Sequence, residues 1–374
     1  MLFAGFVLLG IPTVIIGPVL PVFISRWSLN DSQAGLFFTV QFAASLCGVW
    51  ITTGLTSWRG YRPGLFIGYL LTGAGLALLN APTHAVALVA TAAFGLGYGI
   101  VVPPTNLSAA EAGGERSAGL VSLLNFAWGV GAVACSPLIL LALRHHFLPA
   151  LLFTIAFCSV FLAGSFLFVP FPADKHASLA KPSSAASSIP TLSVTIGVAA
   201  LFFIYVGIET SVGGWAAEHA KRLAGHATSM STMAPMFFYA GLMIGRAVAS
   251  LVLTHLHAGK VAFTALGLTT LGIAVVIAAS SQRTAIGGLA TAGFGCASIY
   301  PIYISWFSNW YGAAARRLGG VVFSMASLGG SALPWLVGFV SMRASSLRVG
   351  LLVPLAGCFA MAGILALLHR QRLV

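Results

Sequence analysis

The chain has 374 residues, of which 59% are hydrophobic and only 6% charged, with a formal net charge of +12. Its mean hydropathy of +0.99 sets it apart from soluble domains, in which about a quarter of residues are charged. The positive balance reflects a scarcity of acids, and no block of Lys/Arg marks a nucleic-acid surface.

Apolar runs of about 20 residues recur along the whole length, each able to cross a hydrocarbon core of ~30 Å. Polar and Gly/Pro punctuation predicts an all-α membrane protein with twelve transmembrane helices. The first six are expected near 3–25, 33–53, 63–80, 84–106, 117–143 and 149–169. The opening Met-Leu-Phe-Ala-Gly lacks a basic n-region, which argues against a cleaved signal peptide. Span one carries Gly10-Ile-Pro-Thr-Val-Ile-Ile-Gly17, a segment broken by Gly and Pro. Gln41 in span two, Asn106 in span four and Asn125 in span five are intramembrane amides. Each offers donors and an acceptor, which suits either a polyhydroxylated ligand or hydrogen bonding between helices. Asn125 and Trp128 share a helix face, so a ring to pack on a pyranose stands beside an amide to read its hydroxyls. Plain packing is the competing reading of that Trp.

Residues 170–190, rich in Ser, Ala and Pro, read as a linker between an N-terminal bundle (1–169) and a C-terminal one (191–374). The second six spans are expected near 192–216, 229–254, 260–280, 284–307, 318–342 and 348–368. The seventh contains Tyr205-Val-Gly-Ile-Glu-Thr-Ser-Val-Gly-Gly-Trp215, with Glu209 among three weakening glycines. An ionised acid at a helix centre costs ~2.5–3.5 kcal/mol on insertion scales and generally faces a cavity or a partner. Glu209 is therefore a candidate for proton coupling and for binding hydroxyls. It lies roughly 25 Å along the helix from Leu192, so a place near the headgroups, with Trp215 in an aromatic belt, is the alternative. The glycines can either break the helix to line a cavity or pack closely against neighbours. Tyr205 and Tyr300 rank as further candidate binding residues, above Tyr239 and Tyr303. Tyr300 precedes Pro301, where a helix irregularity is expected. Arg246 in span eight is assigned to structure or gating.

Landmarks repeat at an offset of about 200 residues, the mark of two parallel halves. Gly95-Leu-Gly-Tyr-Gly-Ile-Val-Val-Pro103 matches Gly293-Phe-Gly-Cys-Ala-Ser-Ile-Tyr-Pro301, Gly129, Gly131 and Pro137 match Gly329, Gly330 and Pro334, and Gly60 matches Gly259. Such repeats place a substrate site at the midplane between halves. The Lys/Arg of the first half (Arg59, Arg62, Arg116, Lys175 and Lys181 against Arg26 and Arg144) favour cytoplasmic termini, while the second half is neutral on the point. The five cysteines read as buried small hydrophobes, and the nine histidines as loop or helix-end residues unsuited to a metal site. No P-loop or catalytic constellation appears, so neither an ATP-driven pump nor an enzyme is expected, and no cofactor.

These features resemble the major facilitator superfamily along the full chain. Gly54-Leu-Thr-Ser-Trp-Arg-Gly-Tyr-Arg62 is similar to its signature loop without that loop's acid. Glu111-Ala-Gly-Gly-Glu-Arg116 resembles the acidic–basic loop that partners it. The resemblance implies gating roles for Arg59, Arg62, Glu111 and Arg116. Pro104-Thr-Asn106, Leu124-Asn-Phe-Ala-Trp-Gly-Val-Gly131 and Tyr205–Trp215 narrow the likeness to the fucose:proton symporter-like sugar transporters. That likeness implies a monomeric secondary transporter in a bacterial inner membrane, moving a monosaccharide with a proton by alternating access. Gly131-Ala-Val-Ala-Cys-Ser-Pro137 offers weak support for an alternative, efflux of amphipathic compounds by antiport. An uncoupled facilitator is the other alternative.

Overall fold

A computed structural model describes residues 1–113, 117–168, 192–311 and 315–370. The described residues form helices joined by short turns, with no strand among them. The first half comprises α1 (Leu2–Val14), α2 (Ile16–Trp27), α3 (Asp31–Arg59), α4 (Tyr61–Leu78), α5 (His84–Gly113), α6 (Ser117–Arg144) and α7 (Leu148–Phe166). The second comprises α8 (Leu192–Ala224), α9 (Ser229–Val252), α10 (Ala258–Ala278), α11 (Gln282–Tyr311), α12 (Ala315–Ala344), α13 (Leu347–Gly350) and α14 (Leu352–Arg370). Eleven of the described spans, counting α1 with α2 and α13 with α14 as one each, are long and apolar enough to cross a membrane. The shorter α4 packs beside α5 and α7 as the twelfth. The chain is an integral membrane protein.

Span one is interrupted at one residue, Ile15, which keeps helical dihedrals (φ −59°, ψ −33°). Pro18 has no N–H for the carbonyl of Val14, and the helix stops at Ile15 before resuming as α2. Span seven has no such interruption. The glycines around Glu209 do not interrupt α8, which runs unbroken to Ala224, well past the expected end at 216. They serve close packing instead. A Cβ on Gly207 would strike the Leu333 side chain, one on Gly213 the Tyr239 hydroxyl, and one on Gly214 the Phe38 ring. Likewise α11 passes through Pro301 without a break, and α3 stays helical through the segment expected as a loop, until Gly60 turns the chain with φ of 73°.

The halves repeat in their packing as well as in sequence. Capping boxes start α3 (Asn30 with Gln33) and α9 (Thr228 with Ser231) at equivalent positions. Gly131 of α6 brings its backbone onto α1 at Val7, and Gly329 of α12 brings its own onto α8 at Phe203. A Cβ there would sit 1.9 Å from the Val7 oxygen and 1.8 Å from that of Phe203. Because the obstacle is backbone, a methyl group must push two helices apart. Gly329→Ala is expected to lower thermal stability in detergent by about 1–3 kcal/mol, as overpacking does. Gly363→Ala, where a Cβ meets nothing, is the unaffected control.

The two halves meet along α3 with α12, α6 with α9, and α2 with α8. Among the described residues, hydrogen bonds between them include Thr39 with Ser331, Arg144 with Ser229, Lys221 with Ser25 and the Pro21 carbonyl, and Asp31 with Arg222 and Ser341. All of these sit toward the end of the bundle opposite Phe166 and Leu192. Three of the cysteines are buried, but Cys47 and Cys158 are exposed on outer faces. His219 also departs from expectation: it is buried within α8, with Nε2 at 2.9 Å from the Val276 carbonyl.

Candidate functional site

Glu209 sits at about the midpoint of the 33-residue α8. Glu218, Lys221 and Arg222 mark the polar end of that helix, more than two turns beyond, so Glu209 lies deep within the span. Glu209 lines a cavity where the halves meet, with Thr13 and Gly17 of span one, Phe38 and Phe42 of α3, Trp128 of α6 and Tyr239 of α9. The space is about 40 Å³. One water needs ~10–15 Å³, so this conformation holds a few waters and no sugar ring. No ion pair among the described residues involves Glu209; Tyr205 lies one turn back on α8. The ion pairs among the described residues lie at the end of α8, where Glu218 and Asp31 meet Lys221 and Arg222.

The break in span one builds one wall. Gln41, buried at 2% exposure, donates from Nε2 to the Thr13 carbonyl at 2.8 Å, supplying a donor where the broken helix lacks one. Gln41 thus joins α3 to α1 rather than facing the cavity. The Thr13 hydroxyl donates to Leu9 and accepts, at 3.4 Å, from the indole N–H of Trp128. Trp128 packs edge-on against Tyr239, with ring centroids 6.3 Å apart. The Arg246 guanidinium, expected at a gate, lies over the Trp128 ring 5.9 Å from its centroid.

Asn125 and Asn106 are half-buried, and each spends one amide hydrogen on its own helix, at Val121 and Val102. Asn125 lies one turn from Trp128 on the same face. Asn106 lies nearer the linker end of α5, and no described contact joins it to Glu209. Tyr205 is buried and donates to the Cys296 carbonyl at 3.1 Å, with its ring 5.7 Å from that of Tyr300. Both tyrosines, and Tyr98, feel the charges of Glu209 and Arg246 together. The structure thus gathers Glu209, Trp128, Tyr205, Tyr300 and Arg246 around one region.

Among the expected gating residues, the side chains of Arg59 and Glu111, and all of Arg116, fall outside the described residues. Arg62 is exposed. The charged cluster that joins the halves lies at the other end. Asp31 opens α3 and receives a bidentate pair from Arg222, whose Nε also donates to Glu218 at 2.8 Å. Ser341 of α12 completes the cluster by donating to Asp31. Sequence reasoning passed over Asp31, which reads there as an ordinary helix-start acid after Asn30. It also passed over Tyr98, although it is the tyrosine of the Gly95-Leu-Gly-Tyr-Gly repeat segment.

No protein-family model matches the sequence. An uncharacterized MFS-type transporter of Yersinia pestis is 25% identical over 373 residues, which span 96% of this chain and 91% of that protein. The crystal structure of the E. coli fucose:proton symporter superposes with a TM-score of 0.64 at 17% identity, covering 98% of this chain and 97% of that one. That of a D-xylose-proton symporter superposes at 0.78 with 15% identity, covering 97% and 95%. The chain has the major facilitator fold.

Proposed function

We propose that this transporter of the major facilitator superfamily moves a small polyhydroxylated solute, most simply a monosaccharide, together with a proton. One observation carries the reading: Glu209, engaged in no ion pair among the described residues, stands deep in its span at the cavity where the halves meet. A carboxylate so placed can exchange a proton with whichever side the cavity faces. Trp128 supplies an apolar ring face, and the free carbonyl and hydroxyl groups of Asn125 and Tyr300 can read hydroxyls. The sugar–proton symporters that share the fold support the same choice of cargo and ion.

With the termini in the cytoplasm, as the first-half Lys/Arg bias favours, the Asp31–Arg222 end faces outward and the structure is closed to the outside. Transport then proceeds by rocking the halves about the α3–α12 and α6–α9 contacts. The setting is a bacterial inner membrane, and the working unit is a monomer.

Purified protein in liposomes loaded with a pH-sensitive dye tests this. Internal acidification on adding a sugar is the expected result. Uptake of labelled sugar without acidification points to an uncoupled facilitator. Proton movement driven by amphipathic cations, and by no sugar, points to antiport.

A further inference from the structure

Among the described residues, Arg246 is the one Lys or Arg in the interior of a span; the others lie at helix ends. Its Nε is buried and has no hydrogen-bond partner. No described carboxylate pairs with it: Asp31 and Glu218 are engaged by Arg222 at the far end, and no ion pair joins it to Glu209. What holds it is the Trp128 face, which steadies the guanidinium plane and satisfies none of its N–H groups. A buried guanidinium N–H without an acceptor is costly, and the planar fork fits an oxyanion bidentately.

The charge balance points the same way. With the site empty, ionised Glu209 and Arg246 sum to zero. If a neutral cargo arrives with a proton on Glu209, the loaded site carries one positive charge through the membrane. If the cargo brings one negative charge, the loaded site is neutral again. A dianionic phosphate would leave a net negative charge facing a single cation, with no second Lys or Arg described at the site.

We propose that Arg246 determines specificity and that the cargo is a sugar acid, a polyhydroxylated skeleton bearing one carboxylate that docks on the guanidinium beside Trp128. This rests on the polyol–proton reading above and names its substrate class. Each cycle moves one carboxylate and one proton, with no net charge crossing.

The test uses the full-length protein in liposomes, with D-glucuronate and D-gluconate set against D-glucose. The acids are expected to drive internal acidification, at a rate indifferent to a potassium–valinomycin potential. Arg246→Gln is expected to raise the half-saturation concentration for the acids by about 10- to 100-fold, the worth of hydrogen bonds to a charged group. Arg246→Lys, which keeps the charge but loses the fork, should fall between, and it also serves should the Gln variant fail to fold. Proton entry driven by glucose and by neither acid overturns the proposal while leaving the polyol–proton reading intact. Unchanged half-saturation in Arg246→Gln, or a potential-dependent rate with the acids, overturns it as well. If no sugar and no acid moves protons, both readings fall together.

Discussion

Glu209→Gln is expected to abolish pH-driven accumulation while leaving counterflow exchange intact. Glutamine has the shape of the protonated acid and no proton to release. A carrier fixed in that form can still shuttle loaded between its two faces, which is all that exchange requires. Net uptake against a gradient requires an empty return with the acid ionised, and the variant has no such state. The effect is total in the driven direction. A gradient of one pH unit, about 1.4 kcal/mol, supports roughly tenfold accumulation in the wild type and none in the variant. The measurement is the ratio of internal to external labelled cargo at plateau. A Gln variant that reaches the wild-type ratio removes Glu209 from the coupling mechanism.

Arg222→Gln is the second large effect, and it concerns which face is open. Arg222 links Asp31 of one half to Glu218 of the other through a bidentate pair and a shorter-range bond. Its side chain is 35% exposed, while those of Asp31 and Glu218 are at 11% and 4%. Such a cluster is worth more than the ~0–1 kcal/mol of a surface pair and less than the ~3–5 kcal/mol lost on breaking a fully buried one. An intermediate ~2 kcal/mol corresponds to about thirtyfold in a two-state population. Without Arg222, closing this end buries two carboxylates with no guanidinium, whereas opening it hydrates Asp31. The variant is therefore expected to favour the form open at this end. Spin labels at His145 and His226, exposed on opposite halves at that end, report the change as a longer distance. An unchanged distance distribution means that the α3–α12 packing, and not the charge cluster, holds the gate.

The helices were readable because hydropathy and punctuation report on solvent, and the solvent here is lipid. The repeat was readable because identical backbone approaches demand glycine in both halves, as at Gly131 and Gly329. α8 outruns its expected end because Gly213 and Gly214 read in isolation as helix-weakening. Only in the structure do Tyr239 and Phe38 fill the glycine grooves and Arg222 neutralise the acids. Glu209 stood out by rarity, which needs no partner to be noticed. Asp31 and Arg246 take their meaning from what lies across a joint between halves, and linear spacing carries no record of that joint. Gln41 misled for the same reason: its partner is a carbonyl exposed by a distant proline.

The interruption at Ile15 has a mechanical consequence. Below it, α1 packs on α6 of its own half, with Gly10 laid against the Trp128 backbone. Above it, α2 packs on α8 of the other half, with Gly17 laid against Gly213 and Gly214. A continuous helix gripped by two bodies would resist their relative rotation along its whole length. A helix whose backbone bonding lapses at one point, as beside Pro18, would let each segment travel with its own neighbour. Thr13 and Gly17 flank that residue and line the cavity, so a bend there would reshape the cavity wall. On the proposed mechanism, filling the cavity and bending span one would then be two readings of one coordinate.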